Sequence, residues 1–355
     1  MNTIAYGTAT PKIEMVKERL LKTLELSMAK VAAHINSPAA YPLPVNTKSV
    51  ERAIFNYYSI LPKSKQKHFF DKSNAILSGG EAARKNKYGD LANLDFKSKT
   101  PFFEQLTTLQ TPAQLKLTAA EQADLIKHTE QHVFRQKSVN KINIPHPKVA
   151  ALPPRTLKLS LQTLTCNKTN DVHKDEITIN AIVFDALGRR TEVIRDLGKF
   201  KKEDSKTINL QLQEFDLRAA ATFPQQFIAT LFLMEKDWFR NEDDQYVLLA
   251  LLGVIGEAMI TVGGILIDTI VITPLVIAGF ALLISGVLFM WTAAFSFSMI
   301  DDFSPVTTDT FVLNSDTQLN LGETLNRTLN FTILKNSTLN PKGDYTAILQ
   351  YERTA

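Results

Sequence analysis

A single cysteine, Cys166, stands in a chain of 355 residues, so no internal disulfide can form. Such a composition fits a cytosolic origin, or a bacterial protein exported late and folded without bridges. No basic stretch followed by a short apolar run opens the chain, and a signal peptide is not expected. Departure from the producing cell would then need lysis or a dedicated machine. The chain also lacks a glycine-rich phosphate loop after a strand, a serine elbow and any Cys/His pair at ligand spacing. These absences leave no catalytic constellation, and we expect a protein that is not an enzyme. His128 and His132 lie one helical turn apart, a spacing that can hold zinc. The metalloprotease pattern puts glutamate directly after the first histidine, whereas Glu130 comes two residues later, so a surface helix carrying two histidines is the simpler account.

Mean hydropathy is close to zero, which excludes a polytopic transporter, and the length leaves room for two or three domains. The formal net charge of +4 hides an asymmetry. Residues 1–150 hold 22 Lys and Arg against 12 Asp and Glu. A basic part of this kind suits anionic lipid or nucleic acid. A solvated helical surface is the simpler account, and nucleic acid is not an expected partner.

Long apolar runs are absent everywhere except in one place. From Tyr246 to Met299 the only charges are Glu257 and Asp268. Its first part, Tyr246 to Ile267, and its second, Thr273 to Met299, each exceed the roughly 20 apolar residues that cross a bilayer as a helix. Asp268 to Pro274 reads as a tight connection. The sequence therefore predicts a hydrophobic helical hairpin. Its candidate membrane-inserting side chains are Leu248, Leu249, Val254, Ile255 and Ile265, then Leu275, Leu282, Leu288 and Trp291, with Glu257 and Asp268 as the embedded carboxylates. The competing account is a pair of buried core helices covered by the basic N-terminal part.

Around this block the periodicity divides the chain. Residues 1–135 read as a helical domain. Thr10-Pro11 can open a helix in which Ile13, Val16, Leu20, Leu24 and Val31 recur at helical spacing. Further helices are predicted from Thr47 to Leu61 and from Gln66 to Leu77, the latter stopping at Gly79-Gly80. Thr118-Ala119-Ala120-Glu121 is a capping-box pattern. Residues 136–156 carry Pro145, Pro147, Pro153 and Pro154 and read as a linker. Residues 157–355 alternate, as in Leu157, Leu159 and Leu161, or Tyr345, Ala347, Leu349 and Tyr351. About eight strands, most with one apolar face, predict an antiparallel β-sandwich interrupted by the hairpin, 246–299, between its fifth and sixth strands. The fold class is thus α+β and multidomain.

The flanks of the block are acidic, Glu242-Asp243-Asp244 before it and Asp301-Asp302 after it. Permanent anchors carry Lys or Arg beyond their cytoplasmic ends, so these flanks favour a hairpin stored in a soluble form and released onto a target bilayer. Asp171, Asp175, Glu176, Glu235, Asp237, Asp243, Asp244, Asp301 and Asp302 are expected to share one end of the sandwich, together with Asp196 and Asp204. Carboxylates converging there form a candidate acid-sensing cluster or a candidate calcium site, since Ca²⁺ takes six to eight oxygen ligands.

The layout of Tyr246 to Met299 beside amphipathic helices resembles that of colicin-like bacterial pore-forming toxins. The resemblance is one of architecture and rests on no motif. It implies a membrane-inserting protein that self-associates on the bilayer, with the helical domain guarding the hairpin and the β-domain binding a receptor, lipid or sister subunits. Its departure, an apolar block housed in a β-domain, widens the class to toxins or effectors delivered without a signal peptide. Cargo or parts of phage-tail-like injection machines belong to that class. The alternative is a structural adaptor, or a secretion-assembly component, anchored permanently by the hairpin.

Overall fold

The computed structural model describes residues 10–109, 115, 118, 120–121, 156–169, 175–187, 189–217, 225–235, 247–248, 250–258, 304, 307–313, 319–335 and 340–354. The chain forms two compact units. One comprises Met1–His128 with Phe239–Ile300, the other Thr129–Trp238 with Asp301–Ala355. The N-terminal part is helical and the C-terminal part is antiparallel β-sheet, an α+β chain.

In the first unit, α1 (Thr10–Asn36) shows the expected stripe, with Val16, Leu20, Leu24 and Val31 all buried. From Leu26 to Ala33 it is buried on every side, so it runs through the interior. Helix α2 (Val50–Ile60) is capped by the Ser49 hydroxyl, which accepts from the Arg52 amide at 3.3 Å, and it stops before Pro62. Pro62 then sets the start of α3 (Lys63–Ser78), three residues ahead of the sequence expectation. Gly80, at φ +74°, lets the chain turn at once into α4 (Gly80–Tyr88). After a 3₁₀ turn (Gly89–Asn93), α5 (Phe102–Thr108) begins behind Pro101. The capping box is formed: the Glu121 amide donates to Thr118 Oγ1 at 3.3 Å, and the Thr118 amide donates to Glu121 Oε2 at 2.7 Å.

A buried polar group joins three of these helices. The Glu51 carboxylate of α2 accepts from the Phe102 amide at the start of α5, at 2.7 Å, and from Ser27 of α1. Lys30 of α1 donates to the Ser98 carbonyl at 2.7 Å and lies over the Phe102 ring. Burial raises the Glu51 pKa and lowers that of Lys30. Arg19 of α1 holds Asp90 through two hydrogen bonds of 2.8 and 2.7 Å.

Among the described residues the second unit is a sandwich of eight strands: β1 (Thr156–Thr169), β2 (Asp175–Phe184), β3 (Arg190–Phe200), β4 (Ser205–Asp216), β5 (Gln225–Glu235), β6 (Thr307–Leu313), β7 (Thr324–Lys335) and β8 (Asn340–Thr354). One sheet has the order β4-β1-β8-β7 and the other β3-β2-β5-β6, with every neighbouring pair antiparallel. The apolar block falls between β5 and β6. Inward side chains of both sheets meet in one core, with Phe215 against Phe227 at 4.6 Å and Phe311 against Tyr351 at 4.7 Å between ring centres.

Two features of the sandwich depart from a single apolar face per strand. A register shift after Leu161 moves the inward set of β1 from Leu157, Leu159 and Leu161 to Leu164 and Cys166. Strands β2 and β5 are buried on both faces, with Ile182, Phe184, Ile228, Phe232 and Met234 as enclosed as the core set. The core also holds charge: Asp309 of β6 and Arg327 of β7 face each other at 4.0 Å, and both are buried.

The expected transmembrane helices require correction. Among the described residues, no helix is long and apolar enough to cross a membrane. The described part of the apolar block is helical at residues 247–248 and 250–258.

Candidate functional site

The point where the apolar block leaves and rejoins the sandwich is built from few residues. Strand β5 ends at Glu235, and the chain is back beside it at Ser304. The Ser304 amide donates to the Leu233 carbonyl at 2.8 Å, and the Leu233 amide donates to Ser304 Oγ at 2.8 Å. A side-chain oxygen thus replaces one rung of the β5–β6 ladder. The returning chain is thus fixed to β5 two residues before that strand ends.

Behind this rung the two sheets are tied by polar side chains. The Glu235 carboxylate accepts from Lys342 Nζ of β8 at 2.6 Å, with the two side chains only 8% and 15% exposed. Tyr345 of β8 donates its hydroxyl to Asp175 Oδ2 at 2.6 Å. Burial, reinforced by that carboxylate, raises the pKa of the phenol far above its usual range. Gly343 sits between these pairs because a Cβ there would lie 3.0 Å from the Tyr345 ring and 3.2 Å from the Lys168 carbonyl. Cys166 is buried beside Tyr345, and burial pushes its thiol pKa up. It sits in the core with no exposed thiolate to react.

The carboxylates proposed to converge at this end are engaged individually. Asp175 and Glu235 are held as described, and Glu176 pairs with Lys199 at 2.5 Å. Asp196 accepts from the Gly198 amide, and Asp204 from the Lys201 amide. Asp171, Asp237, Asp243, Asp244, Asp301 and Asp302 lie outside the described residues. Among the described residues, no group of three or more His, Cys, Asp or Glu side chains is placed to hold a metal. The partners Lys342, Tyr345 and Ser304 carried no motif in the sequence.

Of the proposed membrane-inserting residues, Leu248, Val254 and Ile255 are buried, as are Leu251 and Leu252 beside them. Gly253 and Gly256 are buried too, whereas Glu257 is exposed. The Leu249 side chain, Ile265, Asp268, Leu275, Leu282, Leu288 and Trp291 lie outside the described residues. The span Phe239–Ile300 belongs to the compact unit of the N-terminal helices. Compared with known proteins, the chain matches no family model and no curated sequence.

Proposed function

We propose that this chain is a non-enzymatic, membrane-inserting protein of the pore-forming toxin or effector class. Its apolar segment is kept folded away until it meets a target bilayer, where copies of the chain associate. The observation that carries this reading is the burial of Leu248, Leu251, Leu252, Val254 and Ile255 in a stretch apolar enough to partition into lipid. A permanently anchored segment has no need of a protein cover, and a segment that must first travel through water does. The rung between Leu233 and Ser304 supports the same reading, because it lets the block rearrange while the sandwich stays intact. The sandwich then serves to bind a receptor, lipid or sister subunits.

The test is dye release from anionic liposomes by protein purified without detergent. Arginine placed at Leu275, Leu282 or Leu288 adds about 2.5–3.5 kcal/mol to the cost of entering lipid. Leakage is expected to fall steeply in each variant while the protein remains soluble. Unchanged leakage in all three would remove the apolar block from the mechanism. A strict need for detergent would replace stored release with permanent anchoring.

A further inference from the structure

We propose that the exposed basic surface of α3 and α4 is the docking face for an anionic bilayer, the step that precedes release of the apolar block. The proposal rests on the membrane-delivery reading above. Residues 63–88 carry seven Lys and Arg against Asp71 and Glu81 alone. On α3 the buried side is set by Phe69 and Ser73. Lys63, Lys67 and Lys72 are exposed on the rest of its circumference, with Asp71 the only acid among them. On α4 all positions but Arg84 and Tyr88 are exposed, and Lys85 stands among them. Only Gly79 separates the two helices, and Gly80, at φ +74°, turns the chain between them, so α4 follows α3 without a loop.

Three observations favour lipid over nucleic acid. The apolar block belongs to the same compact unit as these helices, so docking here brings that block to the surface it is to enter. Single-stranded nucleic acid is gripped by exposed aromatic rings between basic side chains. On α3 and α4 the Phe and Tyr rings are buried or half-buried, and His68 is the one exposed ring among their described residues. Duplex binding uses an element shaped to a groove with polar side chains reaching base edges, whereas α3 and α4 present flexible lysines. Lysines of that kind suit a fluid surface of headgroup charges.

The experiment uses the full chain and two variants of equal net charge. One carries Lys63→Gln, Lys67→Gln, Lys72→Gln and Lys85→Gln. The other removes four exposed bases of the sandwich, by Arg189→Gln, Arg195→Gln, Lys201→Gln and Lys202→Gln. Glutamine keeps helix propensity, and unchanged circular dichroism establishes that both fold. Partition onto vesicles of phosphatidylcholine with phosphatidylserine is measured by sedimentation, and dye release is measured in parallel. Each basic residue near an anionic leaflet contributes about fivefold in partition, so the helical variant is expected to lose at least ~100-fold at low salt. The sandwich variant is expected to stay close to the parent, and vesicles of phosphatidylcholine alone to bind neither variant nor parent. Equal losses in both variants, or none in the helical one, would overturn the docking face. So would a parent that binds duplex DNA or RNA through these lysines while its vesicle partition ignores them. Partition that depends on the lysines without any dye release would keep the docking face and sink the delivery reading. Dye release that ignores the lysines would do the reverse.

Discussion

Tyr345 of one sheet donates its hydroxyl to Asp175 of the other across 2.6 Å, in a region closed to water. Removing the hydroxyl leaves the buried carboxylate without its donor. Tyr345→Phe is therefore expected to destabilise the sandwich by about 1–3 kcal/mol. Tyr345→Phe combined with Asp175→Asn should cost less than the sum of the two single changes, because each removes the same pair. Urea unfolding followed by tryptophan-independent circular dichroism measures both. Additive costs would show that the two groups do not act together.

Glu51 makes the helical unit respond to acid with a definite sign. Burial raises its pKa in the folded state above the ordinary value of 4.5, so the folded chain binds a proton that the unfolded chain has already released. Its contribution to stability is fully present below that ordinary value and is lost as pH rises through the raised one. Stability of the parent relative to Glu51→Gln should therefore increase as pH falls from 7 toward 4.5. Thermal midpoints of the two proteins across that window test it. A constant difference would mean that Glu51 does not change its protonation there. Ser27 and the Phe102 amide face the same carboxylate in the parent, and Lys30, whose pKa the Glu51 charge raises, titrates lower in Glu51→Gln.

The rung at Ser304 is a third point of test. Ser304→Ala takes the acceptor from the buried Leu233 amide and is expected to cost about 1–3 kcal/mol. The loss should appear as faster hydrogen exchange at Leu233 and at the end of β5. Exchange at Leu161, deep in the other sheet, should keep its protection apart from the global change. Equal acceleration at both positions would make the rung part of the whole sandwich rather than a local clasp.

Most of the β-unit was legible because inward side chains repeat at period two, as in Ile177, Ile179, Ala181 and Val183. What alternation alone could not show is where the phase slips. The shift after Leu161 makes Leu164 and Cys166 core residues at even positions. Asp309 and Arg327 occupy core positions that a hydropathy pattern assigns to solvent, where they pair across the sheets and Tyr351 adds a hydrogen bond to Asp309. Helices α4 and α5 are short, and α4 is polar almost all round, so neither carries an apolar stripe long enough to be seen. At the root of the apolar block, Asp175 and Glu235 were legible as acids near its ends. Lys342, Tyr345 and Ser304, which hold them and the chain, are ordinary strand residues until the register is known.

The double-sided burial of β2 and β5 also makes a quantitative prediction. Phe232 points away from the sandwich core yet is only 3% exposed. Phe232→Ala should cost about 3–5 kcal/mol, the range for a buried aromatic ring, rather than the few tenths typical of a sheet face in water. Leu187→Ala, at a turn and 53% exposed, serves as the surface control and should cost less than about 0.5 kcal/mol. Similar small costs for both would place the outer face of β5 in solvent.

The last prediction separates the two units by their covers. Leu248, Leu251, Leu252 and Ile255 are buried, and their segment belongs to the unit that contains the N-terminal helices. Residues 156–355 expressed alone keep the segment and lose the N-terminal helices of that unit. Exposure of an apolar patch well beyond a few hundred Å² should make this fragment aggregate or demand detergent. Removal of Tyr246 to Met299 with a short glycine bridge should restore a monodisperse sandwich, since Leu233 and Ser304 already hold the two ends side by side. The same deletion in the full chain should leave vesicle docking through α3 and α4 and abolish dye release. Light scattering and analytical ultracentrifugation decide the first two outcomes, and liposome assays the third. A fragment 156–355 that is monomeric without detergent, with the apolar segment intact, would mean that the helical unit is not the shelter. The stored-segment reading would then lose the observation that carries it.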